Sequence, residues 1–224
     1  MATGGPDAPA GDARVRVLRA EGSDADIAAA ARRLREGGLV AFPTETFYGL
    51  GADALDRAAV ARVFRAKGRP ADKPLLVLVD SLAMAGEVVD GVPERARRLM
   101  ARYWPGPLTL VLRAAARLPP ALTAGTGTIG VRIPGHPIAL ALVRAAGRPV
   151  TAPSANPHGA PSPRTAAEVL AGLGDAVDLV LDAGPTPGGL PSTLLDLTAA
   201  VPRVLRPGAV RLEPDDLAAE SPVI

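Results

Sequence analysis

The sequence predicts an α/β domain with a mixed sheet. Three observations carry that expectation. Apolar runs of strand length are interleaved with segments of helical period along one continuous stretch. No internal repeat and no linker divides that stretch. At 224 residues, with 48% hydrophobic and 21% charged positions, the chain has the size and composition for one substantial core.

The elements follow in order. Residues 1–13, rich in Gly, Ala, Pro and Asp without periodicity, are read as a disordered tail, and residues 14–212 as the domain. Residues 14–18 alternate as an edge strand. Ser23 and Asp26 open a helix carrying Ile27, Ala31 and Leu34, which Gly37-Gly38 ends. Residues 39–42 form a buried strand, and Pro43 stops it because proline cannot donate to a ladder. Asp56 caps a second helix with Val60, Val63 and Phe64 on one face, ending near Gly68. Residues 75–79 are a buried strand. Pro93 starts an arginine-rich helix to Tyr103, which Trp104-Pro105-Gly106-Pro107 breaks. Strands follow at 108–112 and 128–133, then a helix over 136–146 with Ile138 and Leu142 inward. A short strand at 150–152 and a helix over 165–173 precede strands at 177–182, 194–198 and 203–206. Residues 213–224 are read as a second tail.

Several function classes are disfavoured at once. No run approaches the roughly 18 apolar residues of a membrane span, and no leader pattern opens the chain. With zero Cys there are no disulfides, thiolate metal sites or Cys nucleophiles, which fits the cytoplasm. His136 and His158 are too few for a histidine metal site, and each flanks Pro or Gly, where a cap or loop role is expected. Gly125-Thr126-Gly127-Thr128-Ile129-Gly130 matches the dinucleotide pattern on paper, but it runs into a strand rather than a helix and is rejected.

Charge is distributed unevenly. Between Glu94 and Glu168 there are ten arginines and no acidic residue, which suits phosphates or nucleic acid. The two lysines, Lys67 and Lys73, stand close together in a chain that otherwise uses arginine. Polar loops recur after the apolar runs, beginning with the stretch from Thr44 to Asp53. That stretch reads equally as a tight turn and as a wall of a site. The loops are rich in hydroxyls and fixed cations and poor in acid/base groups, an inventory suited to an anionic, polyphosphate-bearing substrate.

Eight motifs in order carry a resemblance. They include Pro43-Thr44-Glu45-Thr46, Tyr48-Gly49-Leu50-Gly51, Lys67-Gly68-Arg69-Pro70 and Trp104-Pro105-Gly106-Pro107-Leu108-Thr109. Val131-Arg132-Ile133-Pro134, Pro153-Ser154-Ala155-Asn156, Pro191-Ser192-Thr193 and Leu205-Arg206-Pro207-Gly208 complete them. In these the chain resembles the YrdC/Sua5 family of L-threonylcarbamoyladenylate synthases, from about residue 15 to 212, and the short form of that family is expected.

The resemblance implies a twisted mixed sheet flanked by helices, with a large positively charged cleft. It implies that L-threonine, bicarbonate and ATP give threonylcarbamoyl-AMP and pyrophosphate, the first step of N6-threonylcarbamoyladenosine formation in tRNA. A downstream threonylcarbamoyl transferase then takes the product, and direct contact with tRNA or double-stranded RNA is a further implied partnership. Carried onto this chain, Thr44, Arg132 and Ser192 hold threonine, Arg132 through the carboxylate. Lys67 and Arg69 meet the ATP phosphates as the catalytic pair, with Thr128, Ser154, Asn156, Ser162 and Arg206 also on the nucleotide. Mg2+ is expected with the phosphates rather than on protein ligands. Glu45 and Asp53 are read as structural, because acidic groups repel both anionic substrates. Leu78 and Pro191 stand where some relatives carry His and Glu.

Two other readings stay open. An RNA-binding module without catalysis fits the arginine distribution, although 3% aromatic content argues against base stacking. A carbamoyl-adenylating YrdC-like domain, as in hydrogenase maturation proteins, is disfavoured by the absence of Cys.

Overall fold

The structure, a computed structural model, describes residues 15–19 and 23–218. The tail read at 1–13 lies outside the described residues. Two mixed sheets, not one, form the frame. The smaller has the order β1-β8-β2-β3, from β1 (Arg16–Arg19), β2 (Val40–Phe42), β3 (Gly49–Gly51) and β8 (Leu179–Asp182). The larger has the order β10-β9-β5-β6-β4-β7. Its strands are β4 (Leu76–Leu78), β5 (Leu108–Arg113), β6 (Thr128–Arg132), β7 (Val150–Thr151), β9 (Thr193–Asp196) and β10 (Arg203–Arg206).

The smaller sheet ends on a strand that the sequence pattern hides. Pro43 does end β2, but the chain reverses at once, and β3 pairs antiparallel with β2, Phe42 opposite Gly49 and Val40 opposite Gly51. The Phe42 ring lies across β3: a Cβ on Gly51 would sit 2.8 Å from Phe42 Cε1. Glycine is therefore required by packing at Gly51, not by turn chemistry. The outer edge of β3 then meets the segment after β7. Leu50 N donates to Pro153 O at 2.8 Å and Ala155 N to Tyr48 O at 2.8 Å. This seam joins the two sheets and brings residues 44–49 against residues 150–156.

Helices cover the sheets as their apolar faces dictate. The helix α1 (Asp24–Arg35) buries Ile27, Ala30, Ala31 and Leu34, and α2 (Arg57–Lys67) buries Val60 and Val63. Ser23 sits at the α1 N-cap without a side-chain cap bond, whereas Asp56 Oδ1 accepts from Ala58 N at 2.7 Å and Ala59 N at 3.3 Å. Gly68 closes α2 at φ 57°, in the left-handed region that favours glycine. After the short α3 (Leu82–Ala85) come α4 (Glu94–Tyr103), α5 (Pro120–Thr123), α6 (Pro137–Ala146) and α7 (Ala166–Leu173). His136 is the N-cap of α6, its Nδ1 accepting from Ile138 N at 3.3 Å. The glycines of 125–130 lead into β6, a strand.

The segment after 212 departs from the tail reading. The helix α8 (Pro214–Leu217) carries a buried Asp216, whose Oδ2 accepts from Tyr103 Oη at 2.5 Å and whose Oδ1 pairs with Arg102 at 3.3 Å. No helix among the described residues is long and apolar enough to cross a membrane.

Candidate active site

A cavity of about 460 Å³ opens between the hairpin of the small sheet and one face of the large one. Residues 44–49 form one wall; β5, β6, β9 and β10 supply the opposite face. Thr44, Thr128, Arg132 and Ser192 line it, as do Arg69, Ser154, Ser162 and Arg206. Four arginines, Arg69, Arg132, Arg203 and Arg206, stand on the walls with one carboxylate, Asp196. The sequence reading thus brings most of its site residues together, but Lys67 and Asn156 are not on the walls.

Arg132 ends β6 and is 3% exposed. Its Nη1 pairs with Glu45 Oε1 at 2.8 Å, while Arg132 Nε and Glu45 Oε2 are buried without a hydrogen-bond partner among the described residues. Burial pushes the guanidinium pKa down and Glu45 opposes that shift. Glu45 is the counter-charge that lets an arginine sit in this depth. Its structural assignment holds, with a sharper role than charge repulsion suggested. Asp53 is structural in the same sense, accepting from Leu55 N at 2.9 Å and pairing with Arg148 at 3.2 Å.

Thr44 departs from its expected role. Its Oγ1 donates to Phe47 O at 2.7 Å and accepts from the Thr46 and Phe47 amides at 3.2 and 3.3 Å. The hydroxyl is spent on closing its own turn. Thr46 Oγ1, whose one partner among the described residues is Thr44 Oγ1 at 3.1 Å, lines the same wall and is the less committed group. Sequence reading missed it. No local signal marked it, because residues 45–47 bend rather than run extended. Tyr48 also lines the cavity, but its Oη donates to Gly184 O at 2.7 Å, and burial pushes its pKa up to about 12.

On the side assigned to the nucleotide, two hydroxyls are uncommitted. Ser154 and Ser162 line the cavity and carry no side-chain hydrogen bond among the described residues. Thr128 is tied to Thr126 Oγ1 at 2.9 Å. Arg69 is anchored through Nε to Lys73 O at 3.1 Å and through Nη2 to Pro74 O at 2.9 Å, which leaves its remaining donor nitrogen for a ligand.

Lys67 is corrected from a phosphate contact to a fastener behind the wall. It is 3% exposed, and its Nζ donates to the carbonyls of Ser154 and Asn156. Asn156 works from within the same loop, its Nδ2 donating to Pro157 O at 2.9 Å and Ala160 O at 2.7 Å. The physical reason is topology: α2 ends under the loop that follows β7, so an ammonium at its last turn reaches backbone before it reaches solvent.

Burial, and secondarily Arg69, push the Lys67 pKa from 10.5 down to about 8. The Lys67 ammonium should therefore lose its charge at a lower pH than an ordinary lysine does. In protein labelled with 13C-lysine, one of two side-chain signals is expected to titrate near pH 8. Two midpoints near the ordinary lysine value would contradict this placement.

Leu78 is fully buried in β4 and offers no polar group, and Pro191 lines the cavity.

The chain is similar to proteins of one family. The Sua5/YciO/YrdC family model, described as telomere recombination, matches residues 32–208. A threonylcarbamoyl-AMP synthase of Pyrococcus abyssi is 49% identical over 184 residues, 82% of this chain but 54% of that protein. A putative threonylcarbamoyl-AMP synthase of Mycobacterium tuberculosis is 45% identical over 84% of this chain and 86% of its own. The crystal structure of P. abyssi Sua5 complexed with L-threonine superposes with a TM-score of 0.83 at 46% identity, covering 87% of this chain and 57% of that one. The chain spans about half the length of the P. abyssi relative. Motifs in order, two joined mixed sheets and a match over most of the domain lead to one statement: the chain belongs to the Sua5/YciO/YrdC family.

Proposed function

We propose that this chain condenses L-threonine, bicarbonate and ATP into threonylcarbamoyl-AMP with release of pyrophosphate. The observation that carries the proposal is the composition of the cavity. Fixed cations and hydroxyl donors converge there, while Tyr48 is committed elsewhere and no cysteine or histidine lines it. Such a wall suits a reaction whose nucleophile comes with the substrate. Bicarbonate gives CO2 by taking up a proton and losing water; the threonine amine adds to that CO2 and loses a proton to give a carbamate. A carbamate oxygen then attacks the α-phosphorus, and the bond to the β-phosphate breaks as pyrophosphate leaves. The protein's part is to position two anions and offset their charge.

Arg132, with Ser192, is suited to the threonine carboxylate, and Arg69, Arg206, Ser154 and Ser162 to the nucleotide. The threonine in the solved Sua5 structure and the activity for which the relatives are named support the same reading. Mg2+ would arrive on the ATP phosphates as part of the substrate. Among the described residues there is no group of three or more His, Cys, Asp or Glu to hold a metal ion. The product is a reactive mixed anhydride, so we place a transferase to the tRNA adenosine directly after this step.

Purified protein with Mg2+ and ATP is expected to release pyrophosphate only when both L-threonine and bicarbonate are present. Release at an equal rate without threonine would overturn the proposal.

A further inference from the structure

Thr109 is a fully buried polar residue on β5 that the mechanism above does not use. Its Oγ1 has one hydrogen-bond partner among the described residues, Ser192 Oγ at 2.9 Å. Ser192 lines the cavity and is gripped from the other side by Arg206. There Nη2 donates to Ser192 Oγ at 3.2 Å and to Ser192 O at 3.0 Å, with Nε reaching the same carbonyl at 3.3 Å. Gly208 permits the grip: a Cβ there would lie 2.3 Å from Pro191 O and 2.5 Å from Ser192 C.

Proton directions follow from these contacts. If Ser192 donated to Thr109, the Thr109 proton would be buried with no acceptor, a costly arrangement. Thr109 therefore donates to Ser192. Arg206 donates to the same oxygen, so both lone pairs of Ser192 Oγ are filled. The Ser192 proton is left over, on a residue that lines the same cavity as Arg132 and Arg206.

We infer that Thr109 is a positioning residue: it fixes the Ser192 hydroxyl as a donor aimed at an anionic oxygen of the ligand, either the carboxylate of the amino acid or a phosphate of the nucleotide. This rests on the reading of the cavity as a threonine and ATP site.

Calorimetric titration of L-threonine and of Mg-ATP, separately, into wild-type protein and into Thr109→Val and Thr109→Ser tests it. Valine keeps nearly the same volume and removes the hydroxyl; serine restores the hydroxyl. Thr109→Val is expected to weaken one of the two ligands about tenfold, the scale of one hydrogen bond to a charged group. The ligand that weakens identifies the oxygen, and Thr109→Ser should return its affinity to near wild type. Unchanged or tighter binding of both ligands by Thr109→Val would show that the Ser192 proton had been held by Thr109, and would overturn the inference. Equal weakening of both ligands without rescue by serine would overturn it too, as a packing effect. If wild-type protein binds neither ligand, the reading of the cavity fails first.

Discussion

Lys67→Ala is expected to lower the turnover of threonine-dependent pyrophosphate release at least tenfold, although Lys67 does not line the cavity. The ammonium holds two carbonyls, those of Ser154 and Asn156, in a buried position. Removing it leaves the Asn156 carbonyl without that donor, at about 1–3 kcal/mol for a buried group left unpaired, while Ser154 O keeps the Asn156 amide at 3.0 Å. The loop so loosened carries Ser154 on the cavity wall, and His158 N, donating to Lys67 O at 2.7 Å, ties the same loop to the end of α2. A displacement costing about 1.4 kcal/mol in the transition state already gives a tenfold loss. Lys67→Arg should not rescue, because a planar fork does not fit where a compact ammonium bridges two carbonyls. Steady-state kinetics with ATP varied decides it. Unchanged turnover in Lys67→Ala would remove the loop-fastening role.

Arg132→Met is expected to have two separable effects. Threonine affinity should fall by one to two orders of magnitude, the value of a charge-assisted contact to a carboxylate. Stability should fall by about 1–3 kcal/mol, because the partly buried Glu45 carboxylate loses its counter-ion. The second effect is removable. In the double variant Glu45→Gln with Arg132→Met, thermal unfolding should recover much of the loss while threonine binding stays weak. A single variant that keeps both wild-type stability and threonine affinity would contradict the assignment of the pair.

The helices and long strands were legible because each carries its own period, as in α1 with Ile27, Ala31 and Leu34. The strand β3 was not. Gly49-Leu50-Gly51 has turn composition, and what makes it a strand is Phe42 lying across it, a partner seven to nine residues upstream. That one sheet was expected where two exist has a separate cause: strand pairing joins residues far apart, as β1 with β8, and local pattern does not encode it. The short α8 escaped because its anchor is one buried carboxylate against Tyr103, more than a hundred residues away.

Site membership was more legible than site chemistry. Arg132, Ser192 and Arg206 were identified as cavity residues through the family resemblance, and they line the wall together. What their atoms are bonded to depends on contacts such as Glu45 with Arg132, 87 positions apart, or Thr109 with Ser192, 83 apart. Local pattern does not encode those. It therefore assigned Lys67 and Thr44 to the ligand, when one holds a loop and the other closes its own turn. Thr46, two residues on, was overlooked for the same reason.

The central claim is that this cavity joins a threonine carbamate to the α-phosphate of ATP. Incubation with 13C-bicarbonate, L-threonine and Mg-ATP, followed at once by mass spectrometry of the nucleotides, tests it most directly. The expected product is threonylcarbamoyl-AMP carrying one 13C, formed in step with pyrophosphate. Pyrophosphate without a labelled adenylate, or no turnover at all, would contradict the account.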